Sequence, residues 1–325
     1  IKKYAFIVSK NPSEWVSCQS IVSNLSQAYQ SILKKEEYQI FYLKHSANTF
    51  DCYQLSKNIL EFRPLEIIYI DHKPSAASFI NSLLSVYNKV ALPQFTIHVY
   101  GDFTLTLEDW SRLEKDVTKL DIKFICASEK QKQLLSQLFT SDNKNLIDVT
   151  PFPVCQKTFI YNEKIRQEGR KKYSLTDDEF VFVYTGRISH QKNVTELIQS
   201  FLSMEKSLAL QSKVRLILAG PFDDIGVPYL GLKTRQGSYQ QKILGLLTLL
   251  DVNNSISYIG NLEVPDLQSL YNAGDCFVSI STHNDEDFGM SAAEALNCGL
   301  QVLLSDWAGY SSFYLGRSEN GCDLV

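Results

Sequence analysis

The sequence predicts an α/β protein built from two doubly wound, parallel-sheet domains. Three observations predict it. Short apolar, β-rich runs alternate with helical patterns from one end to the other, as βαβ units require. Several runs, such as FVFVYTG at 180–186 and KVRLILAG at 213–220, are apolar nearly throughout, as strands covered on both faces should be. The pattern also restarts: after Pro151-Phe152-Pro153 comes a charged stretch, and then a second set of strands.

Taken in order, the first half offers strands at 4–9, 38–43, 65–71, 95–101, 121–128 and 145–154. Helical stretches lie between them at Ser13–Leu33, Ala76–Asn88, Leu107–Leu120 and Lys130–Phe139. The segment Tyr161–Tyr173, rich in Lys, Arg and Glu, is helix-prone and leads into the polar SLTDDE. The boundary is expected near 152–176, giving domains of 1–155 and 156–325. The second set of strands reads as 180–186, 213–220, 255–261, 275–280 and 301–305. The segment from Gly220 to Tyr239 reads as a long polar loop opened by a rigid turn at Pro221.

At 325 residues and 44% hydrophobic, the chain can bury two real cores. A net charge of −4 argues against a dedicated nucleic-acid binder. No apolar run reaches the roughly 20 residues that a spanning helix needs. The seven cysteines are scattered, odd in number and without a Cys-x-x-Cys pair, so they read as free thiols of a reducing cytoplasm. The histidines lack zinc-ligand spacing. Neither a Gly-x-Gly-x-x-Gly after the first strand nor a Walker loop is present, which disfavours nicotinamide oxidoreductases and P-loop enzymes. Ile1 in place of Met suggests that the chain start is not the gene start.

The most informative segment is Glu286-Asp287-Phe288-Gly289-Met290-Ser291-Ala292-Ala293-Glu294. Asp275 to Ile280 reads as a strand, Ser281 to Phe288 as a loop, and Gly289 opens the helix MSAAEALN, which ends at Cys298-Gly299. Such a loop lies at the carboxyl ends of the strands, where open α/β sheets bind ligands. The N–H groups of the first helical turn favour an anion there, and Gly289 lets the backbone come close. Glu294 lies about one turn in, where a carboxylate can chelate a vicinal diol. Glu286 precedes the helix. A solvated helix carboxylate and a loop charge are the plainer alternatives.

The two glutamates resemble the Glu-x7-Glu motif of retaining GT-B glycosyltransferases of family 4, the glycosyl transferases group 1. A second stretch is similar to that family's Gly-Arg-x4-Lys-Asn pattern: Gly186-Arg187, then Lys192-Asn193, at the end of a strand. Tyr258-Ile259-Gly260-Asn261, followed by LQSLYNAGD at 267–275, resembles its nucleobase-side strand and helix. The resemblance is strong over 180–325 and architectural over 1–150. It implies two Rossmann-like domains with parallel sheets facing a central cleft, an acceptor-binding first domain and a nucleotide-sugar-binding second.

By this resemblance, the enzyme moves a sugar from a UDP- or GDP-sugar to a hydroxyl of a glycan, lipid-linked or protein acceptor, with retention. No cofactor or metal is required. Arg187 and Lys192 contact the donor pyrophosphate, which gains charge as the glycosidic bond breaks. Glu286 holds the sugar and Glu294 the ribose. Gly186, Gly260, Asn261, Phe288, Gly289, Met290 and Ser291 complete the donor side. Glu286, Arg187, Lys192 and His98 are the expected catalytic set. Asp71, His72, His98 and Asp102, at strand ends of the first half, are the expected acceptor side.

Asp285 and Asp287 flank Glu286 but do not make a metal motif of this fold. The family's commoner Gly-x-Gly is replaced here by Gly220-Pro221-Phe222-Asp223-Asp224, and the first loop, Ser9 to Ser13, lacks the family's glycines. Relatives also continue for several helices past the segment matching Asn320–Val325, so the chain is expected to be a fragment or to lack that brace. It is expected in the cytoplasm, including peripherally at a membrane face. Three other readings stay open: a nucleotide-sugar epimerase or hydrolase of the same fold, a non-catalytic subunit of a glycosyltransferase complex, and a binding module of a larger assembly.

Overall fold

In a computed structural model the chain forms two compact units, Ile1–Pro153 and Val154–Val325. The structure describes residues 1–9, 16–44, 46–70, 75–86, 92–99, 107–111, 120–138, 147–208, 213–223, 237–249, 255–283, 286–313 and 322–324.

The first unit runs β1 (Lys3–Ser9), α1 (Val16–Ile32), β2 (Glu37–Leu43), α2 (Thr49–Phe62), β3 (Glu66–Ile70), α3 (Ala76–Val86), β4 (Gln94–Val99), β5 (Ile122–Cys126), α4 (Glu129–Ser136) and β6 (Ile147–Val149). Its sheet has the order β2-β1-β3-β4-β5-β6, with every ladder parallel. The core gathers Ile7, Ile67, Tyr69, Phe79, Ile97 and Phe124. Each such side chain contributes about 1.5–3 kcal/mol by leaving water.

The second unit runs α5 (Glu163–Lys172), β7 (Glu179–Thr185), a 3-10 turn (His190–Lys192), α6 (Val194–Leu208), β8 (Lys213–Ala219), α7 (Ser238–Leu249), β9 (Ile256–Tyr258), α8 (Val264–Ala273), β10 (Cys276–Ser279), α9 (Met290–Asn297), β11 (Gln301–Leu304), a 3-10 segment (Ala308–Phe313) and β12 (Cys322–Leu324). Its parallel sheet has the order β12-β11-β10-β7-β8-β9. Alternate residues of β7 and β8 face two different cores. Val181, Val183, Ile217 and Ala219 pack on one side, and Tyr184, Leu216 and Leu218 on the other. That is why these strands read as unbroken apolar runs.

The chain winds one way from β7 through β8 to β9, then returns to the other side of β7 with β10. The loops after β7 and β10 therefore diverge at a topological switch point, where sheets of this kind bind ligands.

Several elements differ in extent from the sequence reading, each for a local reason. The strand expected at 145–154 ends at Val149, because Pro151 and Pro153 cannot donate to a ladder; 145 and 146 lie outside the described residues. The strand expected at 255–261 stops at Tyr258, ahead of Gly260 with φ +83°. Helix α4 starts one residue earlier than expected, since the Ser128 side chain accepts from Gln131 N and fixes the first turn. Of the stretch expected at 107–120, residues 107–111 are helical and 112–119 lie outside the described residues.

Helix α2 was not foreseen. Asn48 and Asp51 form a capping box at its start, and Arg63 closes it in the left-handed conformation. Helix α7 begins at Ser238, where the sequence reads the end of a polar loop. The charged stretch 161–173 is a docked helix. Arg166 and Arg170 of α5 reach Asp275, Arg166 also donates to Asn272 O and Gly274 O, and Arg170 donates to Ala273 O. A Cβ on Gly169 would lie 2.7 Å from Ser269 O, so glycine is what lets α5 and α8 approach this closely. Among the described residues Cys52, Cys126, Cys276 and Cys298 are buried free thiols, and no helix is long and apolar enough to cross a membrane.

Candidate functional site

The site is built at the carboxyl ends of β7, β8 and β10. Past Thr185 the chain turns at Gly186, with φ +149°, and Tyr184 Oη donates to Arg187 O at 2.8 Å. The 3-10 turn then carries Lys192 and ends at Asn193 in the left-handed conformation, φ 52°. Asn193 Nδ2 donates to Ile280 O at 3.0 Å and Thr282 Oγ1 at 2.9 Å. The loop after β7 is thereby tied to the loop after β10.

That second loop brings Glu286 to Lys192. Their side chains form an ion pair, Nζ to Oε2, and both are largely buried. Glu286 itself is 8% exposed. The chain after β11 holds this loop in place. Gly309 N donates to Glu286 O at 2.6 Å, and Trp307 Nε1 donates to His283 O at 3.1 Å. A Cβ on Gly309 would sit 2.1 Å from the carbonyl carbon of Asp287, so only glycine permits this crossing. Tyr310 Oη donates to Ser279 Oγ at 3.0 Å. The buried phenols of Tyr184 and Tyr310 are held well above the usual tyrosine range, first by burial and then by the charge of Glu286.

Gly289 opens α9 with φ +99°, and a Cβ there would meet Tyr310 Cε1 at 2.4 Å. Phe288 stacks on Phe313 with ring centroids 5.1 Å apart. Met290 is buried and Ser291 half-buried. Glu294, in the second turn, is 7% exposed, and burial pushes its carboxyl up to about 8. The sequence reading treats it as an open chelating carboxylate; in the folded chain it is mostly protonated at neutral pH. Its neighbour is Tyr271 Oη at 3.5 Å, which is itself 2.6 Å from Thr185 Oγ1.

Arg187 lies on the β8 side of the turn. Its Nη1 donates to Asp223 Oδ2 at 2.6 Å, with 18% and 15% of the two side chains exposed. Gly260 follows β9 with φ +83°, and its carbonyl accepts from Gly220 N at 2.8 Å; Asn261 is exposed. The residues foreseen in the second half thus gather around one end of the sheet. Asp223, Tyr184, Tyr271, Gly309 and Tyr310 were not foreseen as parts of it. Of these, Asp223 carried a signal as an acid in the segment that replaces Gly-x-Gly, and Tyr271 as part of LQSLYNAGD.

In the first unit, His98 sits within β4 and is 5% exposed. Its Nε2 is 2.7 Å from Tyr29 Oη, and burial lowers its pKa to about 4, so the ring is neutral at pH 7. Asp71, His72 and Asp102 lie outside the described residues, as does Asp285.

Two parallel-sheet α/β units with this strand arrangement are the fold of GT-B glycosyltransferases. Residues 165–322, nearly all of the second unit, match the sequence model of the family described as Glycosyl transferases group 1. The chain is 23% identical over 235 residues to the lipopolysaccharide 1,2-N-acetylglucosaminetransferase of Salmonella typhimurium, a match covering 72% of this chain and 57% of that protein. It is 26% identical over 180 residues to the alpha-monoglucosyldiacylglycerol synthase of Streptococcus pneumoniae, covering 55% of this chain and 36% of that protein. The matched stretches thus span about half or less of these relatives' lengths. Among solved structures, Anabaena HepE in complex with UDP superposes with a TM-score of 0.70 at 14% identity, covering 100% of this chain and 85% of that one.

Proposed function

We propose that the chain is a retaining glycosyltransferase that binds a nucleoside-diphosphate sugar, most simply a UDP-sugar, at the switch point of its second unit. The observation that carries this reading is the meeting of Lys192 and Glu286 beside the amino end of α9. It sets a cation for a phosphate and a carboxylate for sugar hydroxyls next to the N–H groups of a helix's first turn.

In this reading Arg187, Lys192 and the amides of Gly289 to Ser291 stabilise the charge that develops on the leaving diphosphate. Glu286 orients the sugar. Glu294 takes the ribose hydroxyls, giving up its proton as it does so. The glycosidic C–O bond breaks with its electron pair going to the phosphate oxygen. The acceptor oxygen bonds the same face of the anomeric carbon, and its proton passes to the departing phosphate. Two side-chain cations supply the charge that a metal ion supplies elsewhere, so turnover is metal-independent.

The first unit takes the acceptor. The names of the two relatives, one a lipopolysaccharide N-acetylglucosaminetransferase and one a synthase of a monoglucosyldiacylglycerol, support a lipid or lipid-linked glycan hydroxyl as acceptor and hence a peripheral place at a membrane. His98 holds Tyr29 through Nε2, so in this reading a contact to the sugar would be made by Nδ1 of its neutral ring.

The test is release of free nucleoside diphosphate from a panel of UDP- and GDP-sugars, with and without EDTA. One donor should turn over, survive chelation, and be lost in Lys192→Ala and Glu294→Ala. No turnover, together with no nucleotide binding by calorimetry, would overturn the reading.

A further inference from the structure

We propose that Asp223 is a built-in counter-ion of Arg187 that speeds release of the nucleoside diphosphate after transfer. This rests on the donor-site reading above. The pair is fixed by the backbone rather than by two long side chains meeting at a surface. The loops after β7 and β8 go on pairing beyond the strands: Gly186 N donates to Ala219 O at 3.0 Å, Ile188 N to Pro221 O at 2.8 Å, and Asp223 N to Ile188 O at 3.1 Å. A parallel bridge joins Ile188 to Phe222. The two loops run so close that a Cβ on Gly220 would lie 1.8 Å from Gly186 O. Phe222 packs on Tyr258, ring centroids 4.8 Å apart, and pins the residue before Asp223. Asp223 therefore stands opposite Arg187 by construction, 36 positions away in sequence.

A carboxylate held 2.6 Å from a phosphate-binding guanidinium opposes the function assigned to that guanidinium. The opposition has a use in the reaction's charge balance. In the donor, the sugar esterifies the terminal phosphate. When the glycosidic bond breaks, that oxygen keeps the electron pair, and the acceptor's proton that it takes up is largely lost to water at neutral pH. The product thus carries about one more negative charge than the donor. A fixed carboxylate beside Arg187 repels both, but repels the product more, and it retakes the guanidinium as the diphosphate leaves. Because the pair is partly shielded from water, this repulsion is screened less than between surface charges.

Asp223→Asn removes the charge and keeps a side-chain acceptor for Arg187. Calorimetry with UDP and UDP-glucose, and with GDP and GDP-mannose in parallel, reads the effect. The expected result is a nucleoside diphosphate bound about tenfold tighter, equal to about 1.4 kcal/mol, with the nucleotide sugar changed by about threefold or less. Under turnover, product inhibition strengthens and kcat falls while donor KM does not rise. Asp223→Ser is a second neutral variant should the amide misfold, and Asp223→Glu, which keeps the charge, should stay within about threefold of wild type. Weaker nucleoside diphosphate binding in the neutral variants, or equal tightening of diphosphate and sugar nucleotide, overturns the proposal and leaves the donor site standing. Wild-type protein that binds none of the four probes overturns the donor-site reading, and this inference with it.

Discussion

Glu294→Gln is the most discriminating single change, because it tests an energy read directly from burial. The Glu294 carboxyl moves from its ordinary 4.5 to about 8 in the folded chain, and desolvation is the leading cause. A group whose folded pKa lies above its unfolded one contributes stability that is fully present below the unfolded value and is lost as pH rises through the folded value. The window here runs from about pH 4.5 to about pH 8. At pH 7 the unfolded carboxyl is ionised while the folded one still holds its proton. The roughly 2.5 pH units between the unfolded value and pH 7, at about 1.36 kcal/mol each, cost the folded state about 3 kcal/mol.

Glutamine removes the titration and retains an acceptor for Tyr271. The variant should therefore gain about 3 kcal/mol on wild type between pH 5 and pH 8, and its stability should be flatter with pH over that range. Urea unfolding at pH 5, 6.5 and 8 measures this, with Trp307 reporting on the second unit. Parallel pH profiles for the two proteins would falsify the burial argument, since they require a carboxylate ionised in the folded state. A linked observation uses the ligand. If ribose hydroxyls draw Glu294 into its charged form, nucleotide binding at pH 7 releases close to one proton. Calorimetry in two buffers of different ionisation enthalpy counts it, and the glutamine variant should release none.

Other changes probe the scaffold. Gly289→Ala combines a positive φ with a Cβ 2.4 Å from Tyr310 Cε1, so backbone strain and overpacking together should cost about 3 kcal/mol; a thermal midpoint equal to wild type would contradict the close approach. Gly220→Ala drives a Cβ into the Gly186 carbonyl at 1.8 Å, a backbone collision that side-chain motion cannot relieve. Its second unit should be degraded by limited proteolysis under conditions that leave wild type intact, and equal resistance speaks against the packed loops. Tyr29→Phe leaves His98 Nε2 without its 2.7 Å partner inside the first unit and should cost about 1–2 kcal/mol. Denaturant titration reads that loss, and an unchanged midpoint would show that the contact contributes nothing.

The two sheets were legible in the sequence because doubly covered strands write themselves as apolar runs, and β7 and β8 face a core on each side. The loop glycines were legible for a related reason: at Gly186, Gly260 and Gly289 the backbone takes positive φ. Pairing through space was not. Lys192 and Glu286 are 94 positions apart, and each alone reads as a solvated charge. Composition showed α5 as helix-prone but hid its docking. A helix with this many Lys, Arg and Glu suggests a solvated linker, yet Arg170 is buried and donates to the carbonyls of Thr176, Glu179 and Ala273. Guanidinium groups that cap loose carbonyls are structural, and nothing in the spacing of α5 separates them from surface charges.

The same limit applies to the charge state of the candidate site. Counted from the sequence, Arg187, Lys192, Glu286 and Glu294 are two cations and two anions, with one carboxylate set aside for the ribose. In the structure each cation faces a carboxylate, Lys192 with Glu286 and Arg187 with Asp223, while Glu294 is mostly neutral. These groups are close to balanced before any ligand arrives. On the proposed reading, a diphosphate would share cations that already have partners, and its affinity would be the difference between two sets of strong contacts rather than the sum of one. Carboxylates that moderate binding in this way would stay in place to reclaim the cations as product departs, which is the behaviour that the Asp223 variants test.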